Sequence, residues 1–154
     1  MRSGDAERLQ LSYSAAVRVI VVGCGRVGAA VALGLRDAGW DVTVIDERED
    51  ALVRLGEDWA GGFLVGQGID LQLLRDAGIE ETDAVVVTTD GDNTNIVIGQ
   101  AAQKLFDVPS VVVRVLDPGR AEFYSSRGLN VVCPTSNAIK TLTEAVRAFE
   151  GALR

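Results

Sequence analysis

The strongest constraint on this chain is a regular alternation of short β-branched runs with stretches of helical periodicity. VRVIVVG (17–23), DVTVID (41–46), GFLVG (62–66), DAVVVTT (83–89), SVVVRVLD (110–117) and NVVCP (130–134) read as strands. Between them, segments 26–39, 48–59, 70–78, 93–106 and 118–128 read as helices, the last opened by Pro118. Six strands separated by helices imply a parallel sheet covered on both faces. Right-handed crossovers make this an α/β fold, a Rossmann-like doubly wound six-stranded sheet in the order 3-2-1-4-5-6 with a C-terminal helix. The expected organisation is a mobile lead-in over 1–15, one nucleotide-binding domain over 16–135, and an amphipathic helix over 136–154.

VVGCGRVG (21–28) narrows the reading further. Gly23, Gly25 and Gly28 spell G-x-G-x-x-G between a strand and a helix, and Asp46 ends the second strand. That context is the one a dinucleotide-binding turn requires. Gly23 permits the tight turn, Gly25 lets backbone approach a phosphate, and Gly28 allows helix and strand to pack closely. The helix start, with Cys24, Arg26 and Val27 between the glycines, offers free N–H groups and a positive dipole end. Asp46 either accepts from ribose hydroxyls or caps the segment that follows it. Glu47 beside it disfavours a 2′-phosphate, with Arg48 offsetting part of that effect.

Three further stretches fall where reversals at the carboxyl ends of strands would line the same crevice. They are Gly66-Gln67-Gly68-Ile69-Asp70, the loop from Thr88 and Thr89 to Asn93, and Arg114 within the fifth strand. Each has a plain alternative in turn chemistry. Arg114, set in an apolar run, needs a partner: Asp90, Asp117 or a ligand.

Charge and composition exclude several classes. The net charge of −7 repels phosphate backbones, so no nucleic-acid partner is expected. Cys24 and Cys133 form no C-x-x-C, and the chain has no histidine, so no zinc site or disulfide framework is expected. No apolar run approaches a bilayer span, and Asp5 and Glu7 interrupt any leader-like start. A cytoplasmic location is therefore expected. Hydride transfer needs a group to move a proton, and neither Tyr13 nor Tyr124 has lysine four residues on. No catalytic residue is assigned; an NAD-dependent oxidoreductase fragment remains the second reading.

GCGRVG, VIDER, LVGQG-x-D, LRDAGIEETDAVVVTTDGDNTNI and VVVRVLDPGRAEFYSSRGLNVVCP together resemble the nucleotide-binding domain of Trk/Ktr-type potassium-transport regulatory subunits, the RCK or KTN domains. The segment from LRDAGIE to DNTN is more distinctive than the glycine pattern. The resemblance implies a sensor binding NAD(H), ATP, ADP or AMP, assembled as dimers or rings beneath a membrane potassium transporter or channel subunit. A separate chain carrying the family's C-terminal regulatory domain joins the expected partners. It also implies that Arg26 reaches the terminal phosphate of ATP; the alternative is a solvated helix residue. Thr135 follows Pro134 where some members carry a metal-holding acid, so no metal is expected.

The tail repeats Ile139, Leu142, Val146, Phe149 and Leu153 at steps of three and four, one apolar stripe on a helix. It either packs on its own sheet or, as the resemblance implies, crosses to a neighbouring subunit.

Overall fold

The computed structural model describes residues 15–153. Apart from Ala15, the lead-in expected over 1–15 lies outside them. The elements run β1 (Arg18–Val22), α1 (Arg26–Asp37), β2 (Asp41–Asp46), a 3-10 segment (Glu49–Leu55), β3 (Gly62–Val65), α2 (Leu71–Asp76), a 3-10 turn (Ile79–Glu81), β4 (Ala84–Val87), α3 (Asp92–Lys104), β5 (Ser110–Arg114), α4 (Pro118–Ser125), β6 (Asn130–Val132) and α5 (Pro134–Ala152). The strands form one parallel sheet in the order β3-β2-β1-β4-β5-β6, as the alternation predicts.

Successive residues of β1 serve opposite faces, which is why the run is apolar throughout. Val19 and Val21 join Val42, Val44, Ala29, Ala32, Ala51 and Leu55 in a core beneath α1 and the 3-10 segment. Ile20 and Val22 join Ile45, Val85, Val87, Leu74, Ile96 and Ile98 beneath α2 and α3. In register, Val22 lies beside Ile45 on one side and Val87 on the other, so β1, β2 and β4 end level with one another.

Three sequence expectations are corrected. The helix read over 48–59 is a 3-10 segment, Glu49–Leu55. It stops at Gly56, whose φ of +83° breaks the helical path. The fifth strand ends at Arg114 rather than Asp117, because Asp117 caps α4 by accepting from the Arg120 N–H at 2.8 Å. The sixth ends at Val132, and α5 begins at Pro134, where a missing N–H costs nothing at the first helical position.

The tail does not pack on its own sheet. None of α5 is buried: Ile139, Leu142, Val146 and Phe149 stay 57%, 67%, 73% and 65% exposed. Nineteen residues at 1.5 Å each make a helix about 28 Å long, and the stripe from Ile139 to Phe149 covers about 15 Å of it.

Helix α1 is seated by its glycine. A Cβ on Gly28 would lie 1.8 Å from the Gly23 carbonyl oxygen, whereas one on Gly34, farther along the exposed face, would meet nothing within 4 Å. Gly28→Ala should therefore cost about 3 kcal/mol or more, while Gly34→Ala should stabilise by about 0.5–1 kcal/mol. Urea unfolding of the two variants reads both signs, and equal stabilities would contradict this seating of α1.

Candidate functional site

A cleft of about 480 Å³ opens where β1, β2 and β4 end, a size that suits a nucleotide. It lies at the crevice outside the carboxyl ends of a doubly wound sheet, where the strand order reverses. Three backbone bonds carry the sheet into its floor: Gly23 N–H donates to the Ile45 carbonyl, Thr88 N–H to Val22, and Gly66 N–H to Asp46, at 2.8, 2.8 and 2.9 Å.

The glycine turn forms one wall. Gly23 holds φ +99°, and a Cβ there would meet the Thr88 carbonyl carbon at 2.8 Å. The β1–α1 turn and the segment after β4 thus touch backbone to backbone. A Cβ on Gly25 would meet no atom within 4 Å, so the cleft side of that residue is open. Gly25 is also the N-cap of α1, with no side-chain cap bond, which leaves first-turn N–H groups to a ligand. These features fit a phosphate.

Asp46 lines the cleft and holds the turn at once. One carboxylate oxygen accepts from the Cys24 N–H at 2.7 Å, the other from the Arg48 N–H at 2.9 Å. The two sequence readings of this acid are therefore compatible, since a carboxylate has about four acceptor positions and two are used. Cys24 is wholly buried behind the turn, its thiol donating to the Ala51 carbonyl at 3.4 Å. Burial, and then the Asp46 charge, push that thiol's pKa up, with Arg54 opposing. Cys24 is consequently held as a packing thiol rather than a nucleophile.

Of the remaining sequence candidates, Glu47, Gly66, Gln67, Gly68, Thr88 and Thr89 line the cleft with Gly23, Gly25 and Asp46. Others stand back from it. Gly28 is buried under the turn, and Arg26 and Val27 are exposed on the first turn of α1. Asp70 is occupied in capping α2, accepting from Gln72 N–H at 2.9 Å and Leu73 N–H at 3.4 Å. Arg114 sits behind the β4–α3 loop, its Nη2 donating to the Thr88 and Thr89 carbonyls at 3.0 and 2.8 Å. Asp90, one of the partners expected for it, lies 4.0 Å away; Asp117 serves α4 instead.

The sequence reading left three contributors unassigned. Arg54 and Thr94 line the cleft, and Asn95 supports it from inside. Asn95, 1% exposed, donates to the Thr89 carbonyl at 2.9 Å and the Arg114 carbonyl at 3.0 Å, and accepts from the Thr89 hydroxyl. Asp92 accepts from the Leu116 and Asp117 N–H groups at 2.7 and 2.9 Å. The DNTN segment is thus a polar clasp joining the β4–α3 loop to the end of β5. Its distinctiveness was legible, but its partners on Arg114, Leu116 and Asp117 lie 19 to 25 residues away and become neighbours only in the sheet.

Residues 19–135 match the TrkA-N domain family. The chain is 40% identical over 116 residues to the Trk system potassium uptake protein TrkA of Streptomyces coelicolor, covering 75% of this chain and 52% of that protein. It spans about half the length of that relative. Among solved structures, the GsuK channel bound to NAD superposes with a TM-score of 0.73 at 26% identity, over 88% of this chain and 24% of the channel chain. GsuK bound to ADP superposes with a TM-score of 0.70 at 26% identity, over 82% and 33%.

The clasp makes a separable prediction. Asn95→Ala takes a donor from two part-buried carbonyls, one of which keeps Arg114, and should cost about 1–2 kcal/mol, and Asn95→Asp, which keeps the shape but loses the N–H donors, should cost at least as much. Hydrogen exchange should quicken first across residues 88–91. Unchanged unfolding midpoints would show the clasp to be incidental.

Proposed function

We propose a sensor rather than a catalyst, from the premise that this chain belongs to the TrkA-N domain family. The chain is the nucleotide-binding part of a regulatory subunit of a potassium uptake system. It binds NAD(H) or an adenine nucleotide (ATP, ADP or AMP), and occupancy of the cleft gates ion flux through a membrane transporter or channel subunit. The observation that carries this is the glycine turn with Asp46 at its back, opening on a cleft of nucleotide size. The TrkA-N match and the nucleotides named for the superposed GsuK structures support the reading.

Phosphates would lie against Gly25 and the N-terminus of α1, and ribose hydroxyls against Asp46. Glu47 next to Asp46 sets a second carboxylate where a 2′-phosphate would sit, favouring NAD(H) over its phosphorylated form. The proposed role of Arg26, exposed on the first turn of α1 outside the cleft lining, is to meet a terminal phosphate that extends past Gly25.

No described helix is long and apolar enough to cross a membrane, and the proposed location is the cytoplasmic face, reached through the transporter. Further proposed partners are a chain carrying the family's C-terminal regulatory domain and a second copy of this chain. The second copy is supported by α5. Its stripe is exposed along its whole length, and burying several such side chains would contribute several kcal/mol at about 25 cal/mol per Å².

Calorimetry with NADH, ATP, ADP and AMP tests the ligand. Asp46→Ala should weaken the bound nucleotide by roughly 1.5–3 kcal/mol; unchanged affinity would reduce Asp46 to its role in the turn.

Light scattering tests the assembly. The protein should be a dimer or larger even-numbered ring at tens of micromolar, and Leu142→Asp with Phe149→Asp should give a folded monomer that still binds nucleotide. A monomeric unmodified protein would overturn the role of α5, and so would a double variant that unfolds.

A further inference from the structure

Two arginines line the cleft, and they are in different electrostatic states. Arg48 is neutralised: its guanidinium forks onto Asp50 at 2.9 and 2.6 Å, and both side chains are largely exposed. Arg54 comes from the last turn of the 3-10 segment and, among the described residues, makes no carboxylate contact within 4.0 Å. Its one hydrogen bond runs from Nη1 to the Cys24 carbonyl oxygen at 3.2 Å, in the middle of the glycine turn.

That contact gives Arg54 a defined place. The Cys24 residue is gripped on three sides: its N–H by Asp46, its thiol by Ala51, and its carbonyl by Arg54. The carbonyl belongs to the same peptide as the Gly25 N–H, so a cation resting on it polarises that donor as well. A guanidinium carries five N–H donors in a rigid fork, and a single bond to a carbonyl leaves the others free for a planar or tetrahedral oxyanion. The cleft otherwise presents Asp46, Glu47 and Asp90, which would repel an anion. A cation with no carboxylate in contact, sharing only the more distant charge of Asp50 and anchored to the turn where phosphate would lie, is the local compensation.

We propose that Arg54 is the charge-bearing residue of the nucleotide site, recognising the ligand's diphosphate from the 3-10 segment while Asp46 serves the ribose. This rests on the nucleotide-binding reading above and deepens it: the preferred ligands are those with a diphosphate, ADP and NADH among them. The local sequence gives no sign of it, because Arg54 lies eight positions past Asp46 in what reads as an ordinary helix.

The test is calorimetric titration of ADP and NADH into the full chain across a series of salt concentrations, for the unmodified protein, Arg54→Gln and Arg54→Lys. Gln keeps a donor for the Cys24 carbonyl but removes the charge; Lys keeps the charge but loses the fork. Because Arg54 is exposed, each variant should keep its unfolding midpoint. The expected result is a loss of roughly ten- to a hundredfold for Arg54→Gln at low salt, a flatter salt dependence than the unmodified protein shows, and an intermediate affinity for Arg54→Lys. Affinity lost with the salt dependence unchanged would make Arg54 a brace for the turn only, and affinity retained would remove it from the site; both overturn the proposal. If the unmodified protein binds neither nucleotide, the nucleotide reading itself fails, a result visible before any variant is made.

Discussion

Everything at the cleft depends on one close crossing of backbones. Gly23 runs against the peptide between Thr88 and Thr89, and Gly28 sits on the Gly23 carbonyl, at separations that leave no room for a side chain. This contact locks the start of α1 to the ends of β1 and β4, and it fixes where first-turn N–H groups emerge. A phosphate site built from backbone needs that rigidity, since each donor must be in place before the ligand arrives. The glycines are therefore constrained by the protein's own packing as well as by the nucleotide proposed for the cleft.

Around this crossing, polar groups, from the buried Asn95 to the half-buried Asp46, Arg114 and Asp92, tie the loops together. Asp46 ties the turn to β2, Asn95 and Arg114 tie the β4–α3 loop to β5, and Asp92 ties α3 to the start of α4. Each bond is modest in net terms, and the cost of leaving a partner unpaired is highest at the buried Asn95. The outcome is a cleft whose walls come from four separate strand-to-helix connections yet are held as one unit. The same bonds account for a charged Arg114 at the end of an apolar strand: its Nη2 donates to two carbonyls, with the Asp90 carboxylate farther off at 4.0 Å.

Helix α5 stands apart from this economy of internal contacts. It is capped by the Cys133 sulfur, which accepts from the Ser136 N–H at 3.4 Å, and started by Pro134, but its apolar stripe finds no cover in its own domain. A stripe of that kind exposed to water is unfavourable, and it is the surface on which the proposed second copy would dock.

The order of the sheet, its parallel sense and the position of the cleft were legible in the sequence. They follow from local properties: β-branched runs, helical periodicity, and glycines spaced for a tight turn. Gly23, Gly25 and Asp46 could be placed for the same reason, each belonging to a pattern of fixed spacing. What only the tertiary structure decided were matters of pairing between distant segments. The 3-10 geometry of Glu49–Leu55, the capture of Asp70 and Asp117 as helix caps, and the backbone partners of Arg114 depend on which groups are left unsatisfied once the chain has folded. So do the burial of Asn95 and the seat of Arg54 on the Cys24 carbonyl, 30 residues away. Periodicity encodes which face of an element is apolar; it carries no information about which polar group will meet which, because that is set by the register of the completed sheet.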